Sequence, residues 1–293
     1  MTDIPFTKFH GFENDYIVLE RTPAIGKDTS QFVRAICDRH TGAGADGVAL
    51  LSKLDGDIAD YDCEIINPDG SIATFSGNGT RCAAAHLVKA GRSTGENLRL
   101  RTRSGIKSFV LLKNDNDVKF DFASEIGRPK FSSSEIPMIT AREVDAVVNE
   151  PILVGDSTLT ISAVNVGNPV ACMFVPDFEL DWRAIGPRIE SHERFPSRVN
   201  MVFVRVVDRH NVEIRIWERG AGETSASGTC SVGAAVLSAL QLKTERKVDV
   251  HSPGGITKVD WRTADDEVVI TGSAEFVYSG LWPAAASRSA RKS

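Results

Sequence analysis

Apolar positions along the chain fall into short runs divided by polar turns, and their spacing predicts alternating strands and helices. Phe6-Thr7-Lys8-Phe9 starts as a strand, breaks at the polar, Gly-containing loop His10-Gly11-Phe12-Glu13-Asn14-Asp15, and resumes as Tyr16-Ile17-Val18-Leu19. Asp28-Thr29-Ser30 offers N-cap side chains ahead of residues 31–37, whose apolar members recur at helical spacing. A flexible turn at 41–47 leads to a strand at 48–51. A further strand at 61–66 runs into Asn67-Pro68-Asp69-Gly70-Ser71, where Pro fixes one dihedral and Gly supplies positive φ, so a hairpin is expected. Ser76-Gly77-Asn78-Gly79-Thr80-Arg81 reads as a Gly-rich loop opening onto an Ala-rich helix from Cys82, closed by Gly91. Residues 98–103, 106–112 and 118–122 form a three-stranded meander, and the polar stretch 124–134 reads as a linker.

The second half repeats the plan. Strands are expected at 151–154 and 159–164, then the Gly167-Asn168-Pro169 turn, an apolar strand at 170–175 and a helix between Asp181 and His192. Strands at 200–207 and 212–217 precede Glu218-Arg219-Gly220-Ala221-Gly222-Glu223-Thr224, and a helix runs from Cys230 to Lys243. Both halves place a Ser-Gly pair before a small-residue helix, at Ser76 and at Ser227. Two copies a whole domain apart point to duplication rather than to a short-period solenoid.

Length agrees, since 293 residues correspond to two domains or one large one. With 42% hydrophobic and 25% charged residues the balance is that of a folded soluble chain. Lys and Arg number 34 against 39 Asp and Glu, without the basic excess that phosphate-backbone binding needs, so no nucleic-acid partner is expected. No apolar run approaches the ~20 residues that span a bilayer, and Met1-Thr2-Asp3-Ile4-Pro5 lacks a basic region followed by an apolar stretch. No membrane association and a cytoplasmic location are therefore expected. Cys37, Cys63, Cys82, Cys172 and Cys230 are scattered without CxxC spacing, which fits buried thiols better than disulfides or a zinc site.

Chemistry enters at the two helix starts. A helix N-terminus carries unpaired N–H groups and partial positive charge, so a Gly-rich approach to it suits a carboxylate or phosphate. Either serine alone reads as an ordinary N-cap; the pairing gives the functional reading its weight. No Gly-Lys-Ser/Thr follows, and Gly42-Ala43-Gly44 precedes a strand, so neither nucleotide-loop pattern is present.

These segments, Phe6-Thr7-Lys8-Phe9-His10-Gly11-Phe12-Glu13-Asn14-Asp15, Arg39-His40-Thr41-Gly42-Ala43-Gly44-Ala45-Asp46-Gly47, Asn67-Pro68-Asp69-Gly70-Ser71, Ser76-Gly77-Asn78-Gly79-Thr80-Arg81-Cys82, Gly167-Asn168-Pro169 and Glu218 to Thr224, resemble the diaminopimelate epimerase family over most of the chain. The resemblance implies an α/β (α+β) fold of two pseudo-symmetric domains, each a curled mixed sheet around a central helix, with the active site in the cleft between them. The domains are expected at 1–127, completed by 273–283, and at 128–272, followed by a disordered tail at 284–293. The implied activity is an isomerase's: proton transfer at an α-carbon converting LL- to meso-2,6-diaminopimelate, toward lysine and cell-wall peptide, without pyridoxal phosphate or metal. The expected partner is a small-molecule amino acid, with a homodimer left open.

The implied catalytic positions are Ser76, Ser227 and Glu218. The reacting carboxylate falls to backbone N–H groups of Gly77, Asn78, Gly228 and Thr229, and the distal end to Asn67, Asn168, Asn200, Glu218 and Arg219, with Asn14 lining the site. Alone, Asn67 reads as the start of a turn and Asn168 as ordinary X-Pro loop chemistry. As a set with Glu218 and Arg219 they favour a zwitterionic ligand, because Arg pairs a carboxylate and a carboxylate pairs an ammonium.

Three positions depart from the family pattern. Its two acid/base residues are cysteines, here Ser76 and Ser227, and a His is replaced by Val170. A serine needs an adjacent base, where a thiol at a helix N-terminus ionises readily. The alternatives left open are a serine-based epimerase helped by Glu218, an isomerase of another small amino or carboxylic acid like the phenazine-pathway branch of the superfamily, and a non-catalytic amino-acid-binding relative. Cys230 is better placed than Cys82 to substitute, yet both are expected to pack.

Overall fold

The polar break after Phe9 is a two-residue reversal rather than a loop. β1 (Ile4–Gly11) and β2 (Asn14–Glu20) pair antiparallel with Gly11 opposite Asn14, and Phe12 and Glu13 between them take φ of 55° and 64°. Both left-handed turn residues match the twist of the flanking strands. The computed structural model describes residues 3–26, 28–56, 58–73 and 76–283. Asp28 caps α1 (Thr29–Cys37) by accepting the Gln31 N–H, and α1 carries the chain to β3 (Gly47–Lys53), parallel to β2. β4 (Tyr61–Ile66) turns back on β3. The turn at 67–71 makes the expected reversal in its shortest form, the antiparallel bridge Ile66 to Ile72 with the Asn67 N–H on the Ser71 carbonyl and the Ala73 N–H on the Ile65 carbonyl, and the chain enters α2 (Gly77–Lys89) a few residues later. β5 (Leu98–Thr102) lies parallel to β4, and β6 (Gly105–Asp115) and β7 (Lys119–Gly127) complete the expected meander.

The same succession follows a second time. β8 (Glu150–Val154), β9 (Ser157–Asn165) and β10 (Pro169–Phe174) pair antiparallel in turn. α3 (Trp182–Glu190) crosses to β11 (Asn200–Val206), parallel to β10, and β12 (Asn211–Glu218) returns antiparallel with the short β13 (Gly222–Thr224) on its edge. α4 (Gly228–Leu240) crosses to β14 (Lys247–Ser252), parallel to β12, and β15 (Gly255–Trp261) and β16 (Val268–Trp282) follow. The strand–helix–strand crossings at α1 and α2 thus recur at α3 and α4, the structural form of the duplication. β13, β14 and β15 add to the strands expected from the sequence.

The chain divides into two compact units, one ending at Ser124 and resuming at Gly272, the other Glu125–Thr271. In the first, strands run in the order β1 to β7, and β1 also pairs the distal part of β16, from His10 opposite Glu275 to Ile4 opposite Trp282. In the second the order is β8-β9-β10-β11-β12-β14-β15, with Val268–Thr271 of β16 on β15. The expected linker at 124–134 is partly built in: β7 runs on to Gly127 and Lys130 bridges Asn165.

The central strands of each unit are buried on both faces. In β2, Tyr16 and Val18 pack toward α2 while Ile17 and Leu19 pack toward α1. In β11, Val202 and Val204 face α4 while Met201 and Phe203 face α3. Strands covered on both sides lose polar alternation, which is why these stretches read as continuous apolar runs. α4 is buried at every position from Cys230 to Ala239, and α2 from Gly79 to Ala85, so each is a central helix enclosed by its sheet. Both begin earlier than expected, at Gly77 and Gly228; at the first, the Ser76 hydroxyl accepts the Gly79 N–H and draws the small residues into the opening turn. Among the described residues no helix is long and apolar enough to cross a membrane. The expected disordered tail, 284–293, lies outside the described residues.

Candidate active site

Ser76 and Ser227 occupy the same local position in the two units. Each has an extended backbone, φ −138° and ψ 121° for Ser76 against −149° and 125° for Ser227, and each is the N-cap of a thirteen-residue buried helix. The N–H groups of the first helical turn have no intrahelical partner. Among the described residues those of Gly77 and Asn78, and of Gly228 and Thr229, meet no acceptor, so two pairs of N–H donors stand at positively polarised helix ends.

The two serines differ in what surrounds their oxygens. Ser76 Oγ accepts the Gly79 N–H at 3.0 Å and the Tyr16 hydroxyl at 2.9 Å. Ser227 makes no side-chain cap; its Oγ donates to Glu218 Oε2 at 2.9 Å, while Thr224 Oγ1 donates to Glu218 Oε1 at 2.7 Å. Glu218 ends β12 and Thr224 sits on the adjoining β13, so this two-strand corner aims the carboxylate at the start of α4.

Around Ser76 the structure gathers Asn14 and Asn78, whose amides meet at 3.4 Å. Arg81 donates to Asn78 Oδ1 at 3.1 Å, which turns the Asn78 amide nitrogen toward Asn14. Arg81 is itself enclosed over Gly272, where a Cβ would lie 2.6 Å from its guanidinium carbon, and burial lowers its pKa to about 10. Asn14 donates to Asp46 at 2.9 Å, and Arg39 bridges Asp46 and Asp15, with Lys8 on Asp15 at 2.7 Å. Burial pushes the Asp15 carboxyl up, but the bonds from Arg39 and Lys8 outweigh it and hold it at about 2. Asn67 is engaged in its own turn, donating to Ser71 Oγ at 2.9 Å.

In the second unit Asn200 Oδ1 accepts the Arg219 N–H at 2.8 Å, and the Arg219 guanidinium donates to the Ser197 carbonyl at 2.9 Å. Buried Glu190 accepts the Gly220 N–H at 3.1 Å, fixing the bend after Arg219. Asn168 follows Gly167, whose φ is 94°, at the entrance to β10. Val170 is fully buried, and a Cβ on Gly233 would lie 2.6 Å from its Cγ1, so the position that the resemblance gives to a His is core packing against α4. Cys230 is also fully buried; burial, with the Glu218 charge, holds its thiol well above the usual range. Burial likewise raises Cys82 to about 12. Neither thiol is a ready proton carrier.

Sequence reasoning missed Tyr16, Thr224 and the buried Arg81. Only Arg81 carried a signal, a cation directly before the apolar run Cys82-Ala83-Ala84-Ala85. Among the described residues no cluster of three or more His, Cys, Asp and Glu could hold a metal. Chemically, the arrangement offers anion-binding helix ends and two hydroxyls, one coupled to a carboxylate and one to a phenol.

A family model described as diaminopimelate epimerase matches residues 6–131 and 162–277. Diaminopimelate epimerase of Pelotomaculum thermopropionicum is 37% identical over 281 residues, covering 95% of this chain and 98% of the relative. That of Nostoc punctiforme is 38% identical over 282 residues, covering 94% and 99%. Among solved structures, a hydroxyproline epimerase from Agrobacterium vitis superposes with a TM-score of 0.65 at 13% identity, over 96% of this chain and 91% of that one.

Proposed function

The chain belongs to the diaminopimelate epimerase family and is an isomerase of that type, and on that premise we propose that it interconverts LL- and meso-2,6-diaminopimelate through Ser76 and Ser227. The observation that carries the serine reading is the 2.9 Å bond from Ser227 Oγ to Glu218, because a serine hydroxyl becomes basic only when another group takes its proton. In the forward step the Cα–H bond breaks as its proton passes to Ser227 Oγ, whose own proton moves to Glu218 Oε2. On the opposite face the Ser76 O–H bond breaks and the new Cα–H bond forms. The reading requires both hydroxyls to flank one α-carbon.

Negative charge grows on the α-carboxylate as the carbon is deprotonated. The N–H groups of Gly77, Asn78, Gly228 and Thr229 are assigned to it, fixed donors that need no reorganisation. The distal ammonium and carboxylate are assigned to Asn14, Asn67, Asn168, Asn200, Glu218 and Arg219. A cytoplasmic homodimer is part of the same proposal.

The test is incubation with LL-diaminopimelate in heavy water, following α-deuterium incorporation and meso product. Exchange with inversion, abolished in Ser76→Ala and Ser227→Ala while binding persists, supports the reading. Binding with neither exchange nor inversion makes the protein an amino-acid-binding relative. Turnover of a different acid, with no affinity for diaminopimelate, refutes the ligand.

A further inference from the structure

Tyr16 is a core residue by its ring, yet its hydroxyl is spent on Ser76, and the proton transfer above makes no use of it. A serine oxygen has two lone pairs and one proton. At Ser76 both lone pairs are engaged, by the Gly79 N–H and the Tyr16 O–H, which leaves only its own proton to give. Among the described residues nothing accepts that proton. Ser227 is arranged the other way: its proton is committed to Glu218 and no backbone N–H caps its oxygen. The two hydroxyls are therefore prepared as different reagents.

We propose that Tyr16 is a positioning residue that holds Ser76 as the proton donor of the pair and replenishes it. The inference rests on the assignment of Ser76 and Ser227 as the acid/base pair. As the Ser76 O–H bond breaks and the new Cα–H bond forms, the phenolic O–H of Tyr16 breaks and a new Ser76 O–H forms, leaving the negative charge on the phenolate. An aliphatic alkoxide is a stronger base than a phenolate, so this second transfer runs downhill. Burial raises the Tyr16 hydroxyl to about 12, with the Ser76 bond pulling the other way, so the phenol still carries its proton at neutral pH.

The ring is held for this task by two glycines. A Cβ on Gly47 would lie 2.8 Å from Tyr16 Cε1, and one on Gly79 would lie 2.9 Å from the same atom. Any side chain at either position pushes on the ring, so the absence of both leaves the phenol a slot that ends at Ser76. Gly79 also supplies the N–H that fills the second lone pair.

Tyr16→Phe keeps the ring and removes the hydroxyl. In heavy water the expected result is a fall of about a hundredfold in kcat for inversion, the scale of one general acid, with KM unchanged. Exchange of the α-hydrogen that faces Ser227 should continue near the parent rate, because Glu218 is untouched. Unchanged inversion overturns the proposal, and so does an equal loss of exchange and inversion, the mark of a structural defect. Absence of both in the parent protein overturns the serine assignment instead, and this inference with it. Should Tyr16→Phe fail to fold, site-specific difluorotyrosine at position 16 gives the second readout. The alkaline limb of inversion must move to lower pH as the phenol becomes more acidic, and an unmoved limb refutes the role.

Discussion

Gly79→Ala sets two effects of opposite sign against each other. Alanine inside a helix is favoured over glycine by roughly 0.5–1 kcal/mol, through backbone entropy. The new Cβ, however, would lie 2.9 Å from Ile65 Cδ1, 2.9 Å from Tyr16 Cε1 and 3.1 Å from Tyr16 Cζ. The Ile65 methyl is the free end of a flexible side chain and can yield. The phenol ring cannot, because Gly47 lies against the same edge atom. Overpacking of this kind costs typically 1–3 kcal/mol, which outweighs the helical gain and leaves a net loss of about 0–2.5 kcal/mol. At roughly 2–4 °C per kcal/mol for a domain of this size, calorimetry should show Tm lower by a few degrees. The effect on rate should be larger in proportion, since a ring displaced by a few tenths of an ångström misaligns the 2.9 Å bond to Ser76. We expect kcat for inversion to fall about tenfold or more, and a second measurement isolates the cause. In a Tyr16→Phe background the same alanine should add almost no further loss of rate, because the hydroxyl it misaligns is already gone. A Gly79→Ala protein that melts higher than the parent and inverts substrate at the parent rate refutes the confinement of the ring.

Three other outcomes follow from the geometry. Glu218→Gln should slow deuterium exchange on the Ser227 side by about 10²–10⁴-fold while keeping a bond to Thr224, so isotope exchange at the parent rate contradicts the carboxylate's role. Because all five cysteines are buried, iodoacetamide should label the native protein negligibly and leave inversion intact, with five labels after unfolding by mass spectrometry; rapid inactivation points to a working thiol. Asp15 has a folded pKa of about 2 against the usual 3.8, so its contribution is fully present above about pH 4 and disappears as pH falls through 2. Asp15→Asn should remove up to about 2 kcal/mol of that acid-sensitive stability, seen as a flatter dependence of Tm on pH between 5 and 2.

The layered architecture was legible because burial on both faces leaves a mark. Neither Tyr16-Ile17-Val18-Leu19 nor the stretch after Asn200 alternates, and both became strands sandwiched between two helices. The capping serines were legible from a Ser-Gly pair ahead of a run of small residues. The helix starts were harder to see, since Gly77-Asn78-Gly79 has low helical propensity and is helical only because Ser76 ties down the turn. β14 went unread although Lys247-Val248-Asp249-Val250 alternates, since four residues of alternation carry little weight beside a long apolar helix. The chemistry of Tyr16 left no mark: its place in an apolar strand explains the ring, and only the tertiary structure brings Ser76 to its hydroxyl. Val170 could be noted as a departure, but that its side chain fills the groove beside Gly233 depends on helix packing.

The pairing of Ile4 with Trp282 imposes an order on biosynthesis. As the polypeptide leaves the ribosome, β1 must wait, one edge unsatisfied, until Trp282 has been translated. The intervening body has all its own pieces once Thr271 has emerged. β1, made before that body, therefore finds its complete set of neighbours only after the body has all of its own.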